Sequence, residues 1–240
     1  MAASPIAVVP AVQGHVPGSP TRILTSVLAP IEKRTLVWLA TRMPAWVNSD
    51  HLTLLALGAM IGTGLAYWFA SVSPIGLALA TLGLAVNWFG DSLDGTLARV
   101  RHHERPRYGY YVDHVVDAIG AVALFVGLAL SGFMSPAVAA ALLVAYLLMC
   151  VEVFLAAESL GKFTLSYFKM GPTELRILLA VGNIALWLHP TAVIAGREFR
   201  VFDIGGVVGA IGLVLTFAVA AISNARTLYR MEPLPEKVDR

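Results

Sequence analysis

Long apolar runs alternate with short polar connections along most of the chain. Six runs of roughly 17–25 apolar residues, the length of a transmembrane helix, can be delimited. They cover residues 52–71, 75–98, 109–131, 136–157, 173–189 and 204–224. Turn formers such as Pro74, Pro136 and Pro172 mark the connections between them. The pattern therefore predicts six membrane-spanning helices joined by short loops, which is an all-α, multi-pass bundle.

The segments that flank the six runs have a different character. Residues 21–47 mix apolar residues with Lys33, Arg34 and Arg42, which is too many charges for a span. This segment is predicted to be an amphipathic helix on the membrane surface, ending near Pro44, with a loosely ordered linker as the alternative. We expect a disordered tail over 1–20, a six-helix catalytic domain over 48–226 and a cytoplasmic tail over 227–240.

The composition excludes an ordinary soluble domain. Of the 240 residues, 58% are hydrophobic and 13% are charged, whereas soluble domains have about 45–50% and about 25%. Such a chain has too little polar surface to cover a water-soluble globule. The single cysteine, Cys150, cannot form an internal disulfide.

The basic residues predict the orientation of the bundle. In a six-span arrangement, one side would carry Lys33, Arg34, Arg42, Arg101, Arg105, Arg107, Lys162, Lys169, Arg226, Arg230, Lys237 and Arg240. The opposite side would carry only Arg197 and Arg200. Cytoplasmic loops are enriched in Lys and Arg, so both termini are expected in the cytoplasm. With no long tail or second domain, a bacterial inner membrane is the favoured location.

Four aspartates lie where the second and third predicted spans approach their shared connection. Asp91 and Asp94 are three residues apart, an angular offset of about 60° on a helix, and Asp113 and Asp117 are four apart, an offset of about 40°. Each pair therefore shares a helix face. The short linker predicts that the two helices are antiparallel neighbours, so that the four carboxylates converge at one depth.

Such a cluster predicts a divalent metal site. Charges inside a membrane are costly, so an intramembrane carboxylate is by default a candidate functional residue. Hard carboxylate oxygens suit Mg²⁺, Mn²⁺ or Ca²⁺, and metals held in this way also bind phosphate oxygens. The alternative is that the acids cap helices or pair with Arg99, Arg101 or Arg107. Four acids within 27 residues, in a chain so poor in charge, favour the metal site.

Between Asp91 and Asp117 the sequence reads D-x-x-D-G-x-x-A-R, nine residues, then G-x-x-x-D-x-x-x-D. This pattern resembles the signature of the CDP-alcohol phosphotransferase (CDP-alcohol phosphatidyltransferase) family. The resemblance implies transfer of a substituted phosphate group from a CDP-linked donor to an alcohol, with release of CMP. It also implies a donor that is usually CDP-diacylglycerol, two ions of Mg²⁺ or Mn²⁺, a site facing the cytoplasm and a homodimer.

The same resemblance implies roles for individual residues. Asp91, Asp94, Asp113 and Asp117 would be metal ligands, and Asp117 would also be the catalytic base. Four further residues would serve the nucleotide, with Gly95, Ala98 and Arg99 lining its site and Gly109 allowing close packing near it.

Arg176 is a further candidate for substrate binding, because it lies at the cytoplasmic start of the fifth span and can bind the phosphate of the acceptor or of the lipid. The alternative is that it forms an interhelical pair with a glutamate, for which Glu152 and Glu174 are candidates. The expected partners are therefore CDP-diacylglycerol, a small polar alcohol and membrane lipids, without nucleic acid.

Two rival functions are compatible with membrane-embedded acids. An aromatic prenyltransferase would also use aspartate-bound magnesium and a diphosphate donor, but its two acidic motifs lie far apart in sequence. A cation transporter would place its acids near the membrane midplane and break a helix beside them. The acceptor alcohol stays open among inositol phosphate, glycerol phosphate, serine, ethanolamine and choline.

Overall fold

A computed structural model describes residues 21–23, 28–164, 172–232 and 234. The chain is nearly all-α there, which confirms the predicted fold class. Its helices are α1 Ala29–Arg42, α2 Ser49–Ala70, α3 Ile75–Val100, α4 Pro106–Leu130, α5 Pro136–Leu160, α6 Pro172–Leu188 and α7 Val201–Met231. Its strands are β1 Thr21–Ile23, β2 Lys162–Thr164, β3 Thr191–Ile194 and β4 Arg197–Arg200. Residues 1–20, for which a disordered tail is predicted, lie outside the described residues.

The six predicted spans correspond to helices α2 to α7. Within the described part of the chain, α2, α4, α5 and α7 are long and apolar enough to cross a membrane. Helix α6 has 17 residues, and α3 carries Asp91, Asp94 and Arg99 in the segment 91–100 at its end. Helix α7 continues to Met231, beyond the predicted end at residue 224, since it extends past its apolar part into the segment that carries Arg226 and Arg230.

Helix α2 is the centre of the bundle. It packs against both α3 and α4, whereas α3 and α4 are not in close contact with each other. On one face of α2, the backbone at Gly64 lies against Ala123 and Gly127 of α4; on another face, Ala66 and Ala70 lie against Gly76 of α3. Small residues allow helix backbones to approach closely in a membrane. Both helices that carry the aspartates therefore pack on α2.

The two ends of the bundle are held by different contacts. At the end away from the aspartates, Tyr67 of α2 and Phe202 of α7 share a buried core with Leu186 of α6. At the aspartate end, Leu36 and Ala40 of α1 pack against Leu93 and Leu97 of α3. Helix α1 thus lies within the predicted amphipathic segment and ends at Arg42, two residues before Pro44.

The strands were not anticipated from the sequence. β3 and β4 form an antiparallel hairpin in which Thr191 pairs with Arg200. Ala195 and Gly196 connect them, both with positive φ, 52° and 76°, as the two central residues of a type I′ turn require. β1 and β2 form a short parallel pair, in which Thr21 is opposite Lys162.

Cysteine labelling tests the orientation of the bundle. In a Cys150→Ala background, Glu104→Cys and Arg197→Cys each place one thiol at an exposed position at opposite ends of the bundle. We expect a membrane-impermeant maleimide to label Arg197→Cys in intact cells and to label Glu104→Cys only in inverted vesicles. Labelling of both positions from the same side would contradict the topology.

Candidate active site

Three of the four predicted aspartates come together between α3 and α4. One carboxylate oxygen from each of Asp91, Asp113 and Asp117 lies within 4.8 Å of the other two. Asp91 extends from α3, and the other two extend from successive turns of α4. All three side chains are partly buried. The group therefore bridges two helices that do not pack on each other, and its oxygens face a common space.

A guanidinium from α6 completes one side of this group. Nη2 of Arg176 donates to Oδ2 of Asp91 at 2.6 Å, and Nε donates to Oδ1 of Asn87 at 2.8 Å. Nη1 of Arg176 is buried and has no hydrogen-bond partner among the described residues. Asn87 is itself fixed, because its amide donates to the carbonyl oxygen of Ala56 in α2 at 3.1 Å. Arg176 therefore lies beside the carboxylates with one donor group that has no acceptor in the described part of the chain.

Asp94 lies outside this group of three and is fixed differently. Its Oδ2 accepts a hydrogen bond from Oγ1 of Thr53 at 2.6 Å, and its Oδ1 accepts from the backbone N–H of Gly95. Its carbonyl oxygen accepts from Oγ of Ser49 at 2.8 Å. Thr53 and Ser49 are both in the first turns of α2. The start of α2 thus determines how the Asp94 carboxylate is oriented.

The group of three carboxylates fits a divalent cation. Two unit charges 4.8 Å apart repel by about 3 kcal/mol at an effective dielectric constant of 20. The three carboxylates form three such pairs. The positive charge of Arg176 is in direct contact with Asp91. Oxygen-only donors from Asp side chains are what Mg²⁺ and Mn²⁺ prefer. Asp91, Asp113 and Asp117 can therefore hold such an ion, with Asp94 next to them on α3.

The residues predicted to serve a nucleotide lie on the cytoplasm-facing side of the aspartates in the predicted orientation. Ala98 lines a cavity of about 470 Å³ together with Ser49, Arg101 and Arg105. Arg99 donates from Nη2 to Oγ1 of Thr96 at 3.1 Å, and a Cβ added to Gly95 would lie 3.4 Å from Nη1 of Arg99.

Gly109 lies on the first turn of α4. A Cβ added there would meet no described atom within 4 Å, so helix packing does not require this glycine. Its role toward a ligand stays a prediction.

The glutamates considered as partners of Arg176 have other contacts. Oε1 of Glu174 accepts from the backbone N–H of Leu28 at 3.2 Å. Oε1 of Glu152, which is buried, accepts from Nδ2 of Asn224 at 2.6 Å. The interhelical ion pair of Arg176 is therefore formed with Asp91. His114 lies between the rings of Tyr110 and Phe154, at 4.2 and 4.4 Å between centroids, so its ring packs against both.

Sequence reasoning missed three residues that hold the site. Asn87 lies one helical turn before Asp91, and this i, i+4 spacing is a signal that could have identified it. Ser49 and Thr53 lie more than 40 residues from Asp94. Nothing local in the sequence connects them with it, because their contact depends on how α2 packs against α3.

Comparison with known proteins identifies one family. The family model described as CDP-alcohol phosphatidyltransferase matches residues 46–219, which include the four aspartates and Arg176. A comparison with curated proteins finds no match.

Thr53→Val tests the support that α2 gives to Asp94. Losing an outer-shell hydrogen bond typically weakens metal binding by roughly 10–100-fold. We therefore expect Mn²⁺, titrated by electron paramagnetic resonance, to bind the variant at least about tenfold more weakly than the parent. Thr216→Val is the matched control, because the hydroxyl of Thr216 donates to the carbonyl oxygen of Gly212 in its own helix. Equal Mn²⁺ affinity in Thr53→Val and the parent would show that this hydrogen bond does not support a metal ligand.

Proposed function

The chain belongs to the CDP-alcohol phosphatidyltransferase family, and from that membership and its aspartate group we propose that it transfers a phosphatidyl group from CDP-diacylglycerol to a small polar alcohol. The products are a phospholipid and CMP. The observation that carries this proposal is the convergence of Asp91, Asp113 and Asp117, with Arg176 beside them. Signature residues from two helices thus meet at one place, and their side chains suit a diphosphate and its cation.

Asp91, Asp94, Asp113 and Asp117 are the proposed holders of two ions of Mg²⁺ or Mn²⁺. When bound, these ions would neutralise the diphosphate of the donor and stabilise the negative charge of the departing CMP. Asp94 belongs to this set because it shares a face of α3 with Asp91. The hydrogen bond from Thr53 leaves the Asp94 carboxylate with further lone pairs for a ligand.

The nucleotide is proposed to occupy the cavity beside Ala98. Gly95 and Ala98 keep that side of α3 free of bulk, and Arg99 and Arg101 add positive charge for the phosphates. Ser49 and Asn48 supply neutral polar groups to the cavity wall. Arg176 is the proposed ligand of a substrate phosphate, since its buried Nη1 has a donor to offer.

Asp117 is the proposed catalytic base. In a direct attack, the acceptor oxygen forms a bond to the phosphorus that carries diacylglycerol, and the bond from that phosphorus to the CMP oxygen breaks. The proton of the acceptor hydroxyl moves to a carboxylate oxygen of Asp117. Asp117 lies one turn further along α4 than Asp113, toward the lipid part of the donor and away from the nucleotide cavity.

The remaining partners follow from the family resemblance and the charge distribution. A homodimer is proposed on the resemblance alone. The basic residues at the aspartate end favour a site that faces the cytoplasm and anionic lipid headgroups. A bacterial inner membrane is the proposed location.

A head-group screen tests the reaction. Purified protein with CDP-diacylglycerol and Mg²⁺ should release CMP only when one of the candidate alcohols is added, with one lipid product per CMP. Chelation should abolish the release, and either Mg²⁺ or Mn²⁺ should restore it. A prenyltransferase or a cation transporter would release no CMP under any of these conditions. Full activity in excess chelator would contradict the metal site.

Asp117→Asn separates the base from the metal ligands. General-base help is typically worth about 10²–10⁴ in rate, so kcat should fall by about that factor. Binding of CDP-diacylglycerol should be largely kept. Asp91→Asn is the comparison, because it should lose Mn²⁺ and donor binding together. Near-normal kcat in Asp117→Asn, or a loss of binding as complete as in Asp91→Asn, would show that Asp117 is not the base.

A further inference from the structure

One carboxylate on α1 gathers hydrogen bonds from two other helices. Oε1 of Glu32 accepts from Nε1 of Trp88 at 2.8 Å and from Oγ of Ser92 at 3.3 Å, both on α3. The same oxygen accepts from Oγ1 of Thr173 on α6 at 2.7 Å. Three donors from two helices thus meet at a single acceptor on a third helix, and neither the aspartate group nor the nucleotide cavity includes it.

The donors bound by Glu32 adjoin the residues of the site. Ser92 follows Asp91 directly along α3, and Trp88 follows Asn87. Thr173 lies three residues, about one helical turn, before Arg176 on α6. The residues that Arg176 binds, Asp91 and Asn87, are therefore on the same segment of α3 that Glu32 holds. Glu32 connects that segment to the first turn of α6.

Helix α1 is itself held in place by contacts at both of its ends. Glu32, Leu36 and Ala40 recur every four residues, so they lie on one face of α1, and the latter two are buried against α3. At the other end of α1, the guanidinium of Arg101 donates to the carbonyl oxygens of Met43, Pro44 and Val47. Both ends of α1 are thus attached to α3.

A second contact joins α1 to α6. The backbone N–H of Leu28, at the start of α1, donates to Oε1 of Glu174 at 3.2 Å. Glu174 is adjacent to Thr173, so two consecutive residues of α6 are bound by the beginning of α1. Helix α1 precedes residues 46–219, the segment matched by the family, so the family match does not account for this connection.

We infer that Glu32 is a positioning residue, which sets the first turn of α6 against α3 and so holds the guanidinium of Arg176 at Asp91 and Asn87. The inference rests on the proposed function for its kinetic readout. Glu32 touches neither the reacting atoms nor the carboxylate group, and it acts through Thr173. Two consequences follow. Loss of Glu32 alters the placement of Arg176, and in a variant that already lacks Arg176 the loss of Glu32 has little further effect on KM.

A double-mutant cycle measures that dependence. Thr173→Val removes the α6 contact and leaves the contacts of Glu32 with α3 in place. We expect it to raise the KM for CDP-diacylglycerol or for the acceptor on the order of fivefold, which is within the usual range for coupled neighbours. In an Arg176→Gln background, adding Thr173→Val should change the same constant by less than about twofold. Glu32→Ala should behave like Thr173→Val, and Glu32→Gln, which keeps the acceptor oxygen, should restore most of the loss.

Lys33→Ala is the matched control, because Lys33 is the next residue on α1 and is exposed. Lys33→Ala should leave the KM for CDP-diacylglycerol and the KM for the acceptor unchanged. Independent, multiplying effects of Thr173→Val and Arg176→Gln would show that Glu32 and Thr173 do not act through Arg176 and would overturn the inference.

A distance measurement tests the same inference without activity. Spin labels at Ala85 of α3 and Leu178 of α6, both exposed, report the separation of the two helices in a Cys150→Ala background. The distance distribution should broaden or shift in Thr173→Val and in Glu32→Ala, and it should not change in Lys33→Ala. An unchanged distribution in both variants would overturn the positioning role. Failure of the parent protein to release CMP with any acceptor would instead overturn the proposed function, and the distances would still decide whether Glu32 positions α6.

Discussion

Mutual repulsion of carboxylates in a membrane-embedded bundle is the constraint on which the site depends. Asp91, Asp113 and Asp117 approach one another within 4.8 Å, where each pair of charges costs about 3 kcal/mol at an effective dielectric constant of 20. Among the described residues, Arg176 brings a positive charge into direct contact with Asp91 and is itself held by Asn87. Binding of a divalent cation would offset this repulsion, and that is the role proposed for the cluster in phosphate transfer.

Helix α2 takes the central position, and its small residues let α3 and α4 pack closely on it. At the aspartate end, α3 and α4 meet through the side chains of Asp91, Asp113 and Asp117. The start of α2 orients Asp94 through Thr53, and α1 ties α3 to α6 through Glu32. Elements outside the sequence signature thus determine where its side chains lie.

The sequence allowed prediction of the features that depend on local pattern. Apolar runs located the six long helices, and most helix ends lie within a few residues of the predicted ones. The spacing of the aspartates predicted that each pair shares a helix face. Features that depend on tertiary packing were not accessible. The separation of α3 from α4 depends on glycine contacts with α2, and the contact between Thr53 and Asp94 joins residues 41 positions apart. The β3–β4 hairpin was missed because its turn, Ala195 and Gly196, lacks the Asn-Gly or Asp-Gly sequence that usually marks such turns.

Linkage between metal and donor tests the central claim most directly, namely that the aspartate group binds a divalent cation for use with a CDP-linked diphosphate. Two ligands that share a site must change each other's affinity by the same factor. Titration of Mn²⁺ by electron paramagnetic resonance, with and without CDP-diacylglycerol, measures that factor. The account predicts that the donor tightens Mn²⁺ binding in the parent protein and that Asp91→Asn abolishes the effect. Equal Mn²⁺ affinity with and without the donor, or the same tightening in Asp91→Asn, would contradict it.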